Sequence, residues 1–424
     1  MKNIYQAIRG MNDILPDKIK YWSFLENKIR RMMMEHNFFE IRTPLLEKTQ
    51  LFQRSVGEST DVVEKEMYSF NDKSNENISL RPEGTAGCIR AVIQHGLIHN
   101  QEQKLWYMGP MYRYERPQKG RYRQFHQFGV EVFGIEAPYI EVEILGMLNN
   151  FFINLGLGDF VKLQINTIGN TESREAYKKA LKTYFLQHID FLDEDSKRRV
   201  YSNPLRILDS KIKTTQKIVE NAPKFHSVLT ENDKNEFELV CASLKEIGVS
   251  FEVNERLVRG LDYYNGVVFE WVTDALGAQG TVCGGGRYDG LVEHLGGSKT
   301  PGFGFGLGIE RLVLMLESID VNVNLPTIDI FVMTQNESNK RTALKLYFDI
   351  KNNFPDKRVF FNHNNVSFKR QFKKANSMGA NFAVIIGDSE ISNKRITLKN
   401  LMDGNQKDYP KNTFMSELRE QLEA

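Results

Sequence analysis

Cysteine is scarce in this chain: Cys88, Cys241 and Cys283 are the only three in 424 residues, far apart and with no CxxC pair. That spacing argues against a zinc ribbon and a disulfide framework, and fits a reducing compartment in which all three are small buried or half-buried residues. Long hydrophobic runs are missing as well. No stretch of about 20 apolar residues exists, so no membrane span is expected. The start, Met1-Lys2-Asn3-Ile4-Tyr5-Gln6, lacks the apolar block of a secretory signal, so a cytoplasmic location is expected. Charge of one sign is also lacking. Lys and Arg number 56 against 54 Asp and Glu, a net of +2, so any nucleic-acid surface must come from local clustering. No GxxxxGKS/T loop is present, which removes a P-loop phosphate site. His95 and His99 stand four apart in a segment expected to be helical, but as His-Gly-Leu-Ile-His, without the glutamate of a zinc protease. No metal-binding residues are predicted, and there are no internal repeats or low-complexity tracts.

What is present is a packed protein of two or three domains. Hydrophobic residues make up 41% and charged residues 26%, which excludes wholesale disorder. Residues 18–37 carry Ile19, Trp22, Phe24, Leu25, Ile29, Met32 and Met33 at roughly helical spacing, after the start signal Pro16-Asp17. A strand, 38–43, is stopped by Pro44. Strands follow at 66–71, 77–81, 104–113, 124–133 and 159–168, interrupted by helices at 85–99 and 140–155. Strands that cluster and pair through loops predict a mainly antiparallel sheet flanked by helices, an α+β class. From about 169 to 254 the chain is charged and helical, with helices at 172–187, 193–200 and 234–246, and reads as an insertion. Strands resume at Phe251. Asn322-Val323-Asn324-Leu325-Pro326 reads as a linker, dividing the chain into 1–325 and 326–424. Beyond it, strands (328–333, 358–361, 380–387, 395–401) and helices (338–354, 367–378) give a small α/β domain.

Three arginine-bearing segments suggest several cations gathered on one polyanion. The first holds Arg113, Arg116, Lys119, Arg121 and Arg123, with Glu115 the only acid and Tyr112, Tyr114, Tyr122, Phe125 and Phe128 interleaved. Arginines among aromatics suit phosphates and stacked bases, although a charge run is commonly just a solvated loop. The second is Leu257-Val258-Arg259-Gly260-Leu261-Asp262-Tyr263-Tyr264. The third is Gly302-Phe303-Gly304-Phe305-Gly306-Leu307-Gly308-Ile309-Glu310-Arg311. Its glycines miss the GxGxxG dinucleotide spacing. Alternation instead strips side chains from one strand face, so that a flat ligand or another backbone can lie there. Gln127 and Glu131, four apart on a strand, face one side. A carboxylate buried under a sheet is usually paired or functional, since an unpaired one costs several kcal/mol. Cys283-Gly284-Gly285-Gly286-Arg287-Tyr288-Asp289 reads either as a tight hairpin turn or as a wall allowing close backbone approach.

In order and wording these segments, with Arg81-Pro82-Glu83-Gly84-Thr85, resemble the histidyl-tRNA synthetases, class II aminoacyl-tRNA synthetases of bacterial type, over nearly the whole chain. The resemblance implies an antiparallel class II catalytic domain with a helical insertion and a C-terminal α/β anticodon-binding domain. It implies histidine–tRNA ligase activity: histidine and ATP give histidyl-adenylate and pyrophosphate, and histidine then passes to the 3′ end of tRNA(His). The implied partners are L-histidine, ATP with magnesium riding on its phosphates, tRNA(His) and a second copy of the chain. The helix–strand–Pro44 unit would form the homodimer interface. An ordinary amphipathic helix packed on its own domain is the alternative reading of that unit.

The resemblance also distributes roles. Arg259 and Arg113 would be catalytic, with Arg113 on the α-phosphate and Arg259 on both the α-phosphate and the histidine carboxylate. Arg113, Glu115, Arg121 and Arg311 would bind ATP. Histidine would meet Glu83, Gly84, Thr85, Arg113, Gln127, Glu131, Arg259, Tyr263, Tyr264 and Tyr288, with Glu131 and Tyr264 on the imidazole. Arg116, Gln118 and Arg123 would meet the tRNA acceptor end. Such a polar pocket can reject analogues by roughly 10⁴–10⁵, which makes an editing domain unnecessary. Lys369, Arg370, Lys373 and Lys374 cluster on one predicted helix, facing either solvent or an anticodon arm. The absence of HIGH and KMSKS removes a class I synthetase. The rival is a non-catalytic paralogue that regulates histidine biosynthesis. Such proteins lack the anticodon-binding domain and lose catalytic arginines, whereas this chain keeps Arg113, Arg259, Arg311 and about 100 residues after Pro326.

Overall fold

The computed structural model of the protein describes residues 5–57, 60–208, 210, 212–259, 261, 263–276, 280–319, 321, 323 and 328–423. Apart from Val323, the expected linker lies outside the described residues, as do Gly260 and Asp262 of the second arginine segment. The chain separates into two compact units, Met1–Val321 and Asn322–Ala424.

The first unit opens with α1 (Pro16–Glu35), which buries Tyr21, Trp22, Leu25, Ile29, Met32 and Met33 on one face. Pro16 sits in the first turn, where its missing N–H costs nothing, so the helix starts two residues before the expected Lys18. After it come β1 (Phe39–Glu40), β2 (Leu46–Lys48), α2 (Thr49–Val56), β3 (Tyr68–Asn71), β4 (Asn77–Leu80) and α3 (Thr85–Gln94). Next are β5 (Gln103–Tyr112), β6 (Gln124–Phe133), α4 (Tyr139–Asn154) and β7 (Lys162–Thr167). The helical stretch holds α5 (Thr171–Gln187), α6 (Glu194–Ser202), α7 (Lys213–Val219) and α8 (Glu231–Glu246). The unit finishes with β8 (Phe251–Val253), β9 (Asn265–Val272), β10 (Thr281–Arg287), α9 (Leu291–His294), β11 (Gly302–Gly308) and α10 (Ile309–Ser318).

Eight strands form one sheet in the order β1-β5-β6-β11-β10-β9-β7-β8. Only β1/β5 and β7/β8 pair in parallel; the remaining pairs are antiparallel, which is the α+β arrangement the strand pattern predicts. A small sheet, β2-β4-β3, stands apart. Several expected elements are shorter than their patterns, among them β7, which covers Lys162–Thr167 of the expected 159–168. The 38–43 strand pairs only at Phe39–Glu40, because the Phe38 N–H still closes on Met33 of α1. The strand expected from Glu66 starts at Tyr68, since Val62–Glu66 winds into a π-helical turn. The helix expected to reach His99 stops at Gln94, where Gly96 turns to φ +64°. His95 and His99 therefore do not share a helix, and both are exposed.

Asn170, Asp193 and Thr230 each accept a hydrogen bond from the backbone N–H three residues on, which starts α5, α6 and α8. β7 and β8 bracket this stretch and pair with each other, so the chain returns beside the strand it left. Tyr177, Leu181, Phe185, Val200 and Ile207 of the stretch join one buried cluster with Val92 of α3 and with Tyr107, Tyr264 and Tyr288. Each such side chain contributes about 1.5–3 kcal/mol.

The second unit holds β12 (Ile330–Thr334), α11 (Lys340–Asn353), β13 (Val359–Phe361), α12 (Phe368–Ser377) and β14 (Phe382–Ile386). It continues through α13 (Asp388–Ser392), β15 (Arg395–Asn400), β16 (Gln406–Pro410) and α14 (Phe414–Glu423). The sheet order is β13-β12-β14-β15-β16, with the first three strands parallel. β12 is buried throughout. Ile330 and Val332 pack with α11 and α14, while Phe331 and Met333 pack with Ala375 and Phe372 of α12. Lys369, Arg370 and Lys373 are exposed on α12, opposite buried Gln371 and Ala375, and Lys374 lies over the Phe360 ring.

Candidate active site

A cleft with about 800 Å³ of open space lies along β6, β10 and β11. The β5–β6 hairpin builds one wall. Its strands pair over their full ten residues, and the Arg113 N–H continues the ladder onto Arg123 O. Arg113, Glu115 and Arg121 line the cleft from this loop, Gln127 from β6, Arg259 from the segment before β9, and Arg311 from α10. The three arginine segments, far apart in sequence, therefore meet in one place.

The cations there are not equivalent. Arg259 pairs with Glu270 of β9, which also accepts from Thr281 Oγ1 at 2.8 Å. Burial lowers the Arg259 guanidinium pKa, but Glu270 and Tyr264 outweigh it and leave the pKa raised. The guanidinium lies across β10 where a Cβ on Gly284 would collide with it. Arg113 donates from Nε to Pro82 O at 2.9 Å and lies over the Phe125 ring. Burial lowers its pKa against the pull of Glu66 and Glu83, and Arg259 lowers it further. Arg311 donates from Nε to Gly120 O at 3.2 Å and also to Thr281 O. Its pKa is lowered by burial, then by Arg121 and Arg113. Arg121 pairs with Glu115. Crowded, partly desolvated guanidiniums that lower one another are a site built for an anion. Among the described cleft residues, Arg259 Nε, a donor, and Gln127 Oε1, an acceptor, are buried without a hydrogen-bond partner, while Glu115 Oε2 is held by its ion pair with Arg121.

One step along β11 the chemistry changes. The glycines of β11 stand opposite β6, with Gly304 facing Glu131 and Gly308 facing Gln127. A Cβ at Gly302 would strike Tyr288, at Gly304 the Glu131 carboxylate, and at Gly306 the Gln127 amide. The bare face of β11 is thus filled mainly by the protein's own polar side chains rather than left flat. Glu131 is 1% exposed. It accepts from Thr85 Oγ1 at 2.6 Å and Tyr107 Oη at 3.0 Å on one oxygen, and from Tyr288 Oη on the other. Burial pushes its pKa up to about 8 despite these bonds, and Glu83 adds to the rise. Glu83 accepts from the Thr85 and Ala86 N–H groups at 2.6 and 2.9 Å, at the start of α3. Burial raises its pKa against those bonds. Gly84 leaves room for the Tyr107 ring. The Tyr263 and Tyr264 rings lie 4.6 Å apart, and Tyr264 is 6.4 Å from Tyr288.

The segment 281–287 is a strand rather than a hairpin turn, and its three glycines have no positive φ. Arg116 and Gln118 are exposed on the hairpin loop, where Gln118 and Arg121 bridge through their backbones. Arg123 is differently placed. It lies 3.8 Å over the Tyr114 ring and donates to Glu115 O at 3.2 Å, bracing the loop. Two residues escape the sequence patterns: Tyr107, inside an apolar strand, and Glu270, beside Trp271. Cross-strand neighbours give the only sequence signal for them, namely Gly129 opposite Tyr107 and Gly284 opposite Glu270.

Residues 10–312 match the family model of histidyl-tRNA synthetase, and residues 329–421 match that of an anticodon-binding domain. The chain is 35% identical to histidyl-tRNA synthetase from S. aureus, covering 98% of this chain and 99% of that one with a TM-score of 0.82. The histidyl-tRNA synthetase of Nostoc sp. PCC 7120 is similar at 20% identity, TM-score 0.68, over 99% and 100% of the two chains. An ATP phosphoribosyltransferase regulatory subunit/histidyl-tRNA synthetase from Bacillus halodurans C gives 20% identity and 0.64, over 91% and 99%. The last two likenesses are of fold alone. With its class II catalytic fold, its C-terminal anticodon-binding fold and this near full-length match, the chain belongs to the histidyl-tRNA synthetase family.

Proposed function

We propose that the chain is an active histidine–tRNA ligase. The observation that carries this is an arginine-lined cleft along β6 and β11, the same two strands that carry Glu131 and its neighbour Gly304 with three hydroxyls held on the buried carboxyl. The cleft suits a polyphosphate and the surroundings of Glu131 a small polar ring. Glu131, with Tyr264 nearby, reads the two imidazole nitrogens. Gln127 Oε1, unpartnered, and Glu83 take the α-ammonium with Thr85. Arg113 and Arg259 lie between ATP and the histidine carboxylate. When a carboxylate oxygen attacks the α-phosphorus and pyrophosphate leaves, the two guanidiniums offset the repulsion of the anions and the charge that builds up. Arg311 holds the γ-phosphate, and Glu115 and Arg121 complete the nucleotide site. The terminal adenosine hydroxyl of tRNA(His) then attacks the acyl carbon and AMP leaves, with Arg116 and Gln118 on the acceptor end.

The cleft carboxylates Glu115 and Glu270 are each paired with an arginine, and Glu310 accepts from the backbone N–H of His126 at 2.8 Å. Magnesium accordingly rides on the phosphate oxygens of ATP. The protein acts in the cytoplasm as a C2 homodimer through α1, β1 and the chain to Pro44, where Phe39 is exposed, with Leu45 and Leu46 exposed just beyond it. No described helix is long and apolar enough to cross a membrane.

ATP–pyrophosphate exchange measured with each of the twenty amino acids tests the reading. Exchange with histidine alone is the expected result. No exchange with any amino acid would favour the regulatory paralogue, and sedimentation as a monomer would remove the dimer.

A further inference from the structure

Glu131 is held by three hydroxyls from three different elements, and one of them has no assigned role. Tyr107 lies on β5, directly opposite Gly129, and reaches diagonally to Glu131 on β6. Its ring is 4% exposed and occupies space that side chains at Gly84 and Gly129 would fill. Two glycines on separate elements thus keep open a slot for one phenol. A carboxylate has about four lone-pair positions. Thr85 and Tyr107 fill those of one oxygen, and Tyr288 takes one on the other. A single acceptor position remains.

We propose that Tyr107 is a positioning residue for histidine recognition, whose hydroxyl locks the Glu131 carboxylate so that its one open lone pair faces the substrate imidazole. The inference rests on reading the surroundings of Glu131 as a histidine site. Burial, with Glu131 and Glu83 nearby, holds the Tyr107 phenol well above its usual pKa, so it stays a donor. The other titratable groups around Glu131 are Glu83 and Cys88 on the α3 side, Tyr288 at the end of β10, and Tyr263 and Tyr264 before β9. None of them replaces the Tyr107 hydroxyl on the oxygen shared with Thr85.

The test uses the full-length chain with Tyr107→Phe, which keeps the ring in its slot. Pyrophosphate exchange is followed against histidine and ATP across neutral to alkaline pH, beside a thermal melt. Loss of one hydrogen bond to a buried charge should lower kcat/KM for histidine about tenfold or more, carried by KM for histidine, with KM for ATP unchanged. The acid limb of the histidine profile should move to higher pH, because a donor to the carboxylate form is gone. A ring-fluorinated tyrosine at position 107, a stronger donor of nearly the same shape, should move the limb the opposite way. A limb that stays put in both variants, with wild-type KM for histidine, overturns the proposal and leaves Tyr107 as packing. Absence of histidine-dependent exchange in the unaltered protein would instead sink the site reading itself.

Discussion

The two halves of the candidate site, the arginine-lined cleft and the shell around Glu131, handle buried charge in opposite ways. Around Arg259 the site gathers like charges: Arg259 helps lower the Arg113 pKa, Arg121 and Arg113 help lower that of Arg311, and Arg121 and Arg259 each pair with a carboxylate. Around Glu131 it surrounds one charge with neutral donors from Thr85, Tyr107 and Tyr288. Repulsion that the carboxylates offset only in part is relieved further when an anion arrives, which suits chemistry at phosphorus. Three hydrogen bonds in the second fix the orientation of the carboxyl, which suits discrimination. If this contrast is right, damage to the two halves must show in different kinetic constants.

The sharpest test is Arg259→Ala. Removing the cation proposed to serve both anions should slow histidine-dependent pyrophosphate exchange by about 100-fold or more, while the variant keeps the fold and sedimentation behaviour of the unaltered protein. Near-normal exchange would take Arg259 out of the mechanism. Glu131→Gln strikes the other half. It keeps the shape and removes the charge, and should cost about 10- to 100-fold in kcat/KM for histidine with KM for ATP little changed. An equal loss of ATP binding would merge the halves and make Glu131 structural. Removal of the second unit, by ending the chain at Val321, should leave exchange measurable while tRNA charging falls about tenfold or more, since phosphate contacts along an anticodon arm are lost. Circular dichroism checks the fold of each protein, and undiminished charging would deny that unit a productive grip on tRNA. The smallest effect concerns stability. Glu131 titrates at about 8 in the fold, above the ordinary carboxylate range. Between those values the folded state holds a proton that the unfolded chain has released. Its stabilisation is complete at acid pH and is lost as pH rises through about 8. Melting temperature of the ligand-free protein should fall over that window by a few degrees, roughly, and Glu131→Gln should flatten the fall.

What the sequence discloses follows the same division. Arg113, Arg259 and Arg311 stand out because each follows or adjoins an apolar, aromatic or glycine-rich run, and β6 runs from Gln124 to Phe133 as its pattern predicts. The supports of these residues do not stand out. Tyr107 lies in a run of aromatic and apolar residues that reads as core, and Glu270 gains its role only when β9 brings it under Arg259. β16 and α14 were not anticipated, because Gln406–Pro410 is almost wholly exposed on an edge strand and carries no apolar alternation. Arg123 shows the converse. By composition it belongs with Arg116, yet stacking on Tyr114 draws its guanidinium inward.

The bare face of β11 sets a limit on how the pocket can change. Gly302, Gly304 and Gly306 cannot gain even a methyl group without displacing Tyr288, Glu131 or Gln127. An inhibitor held by those three side chains would rest on a strand where enlarging a glycine cannot give resistance alone, because the replacement displaces the same side chains.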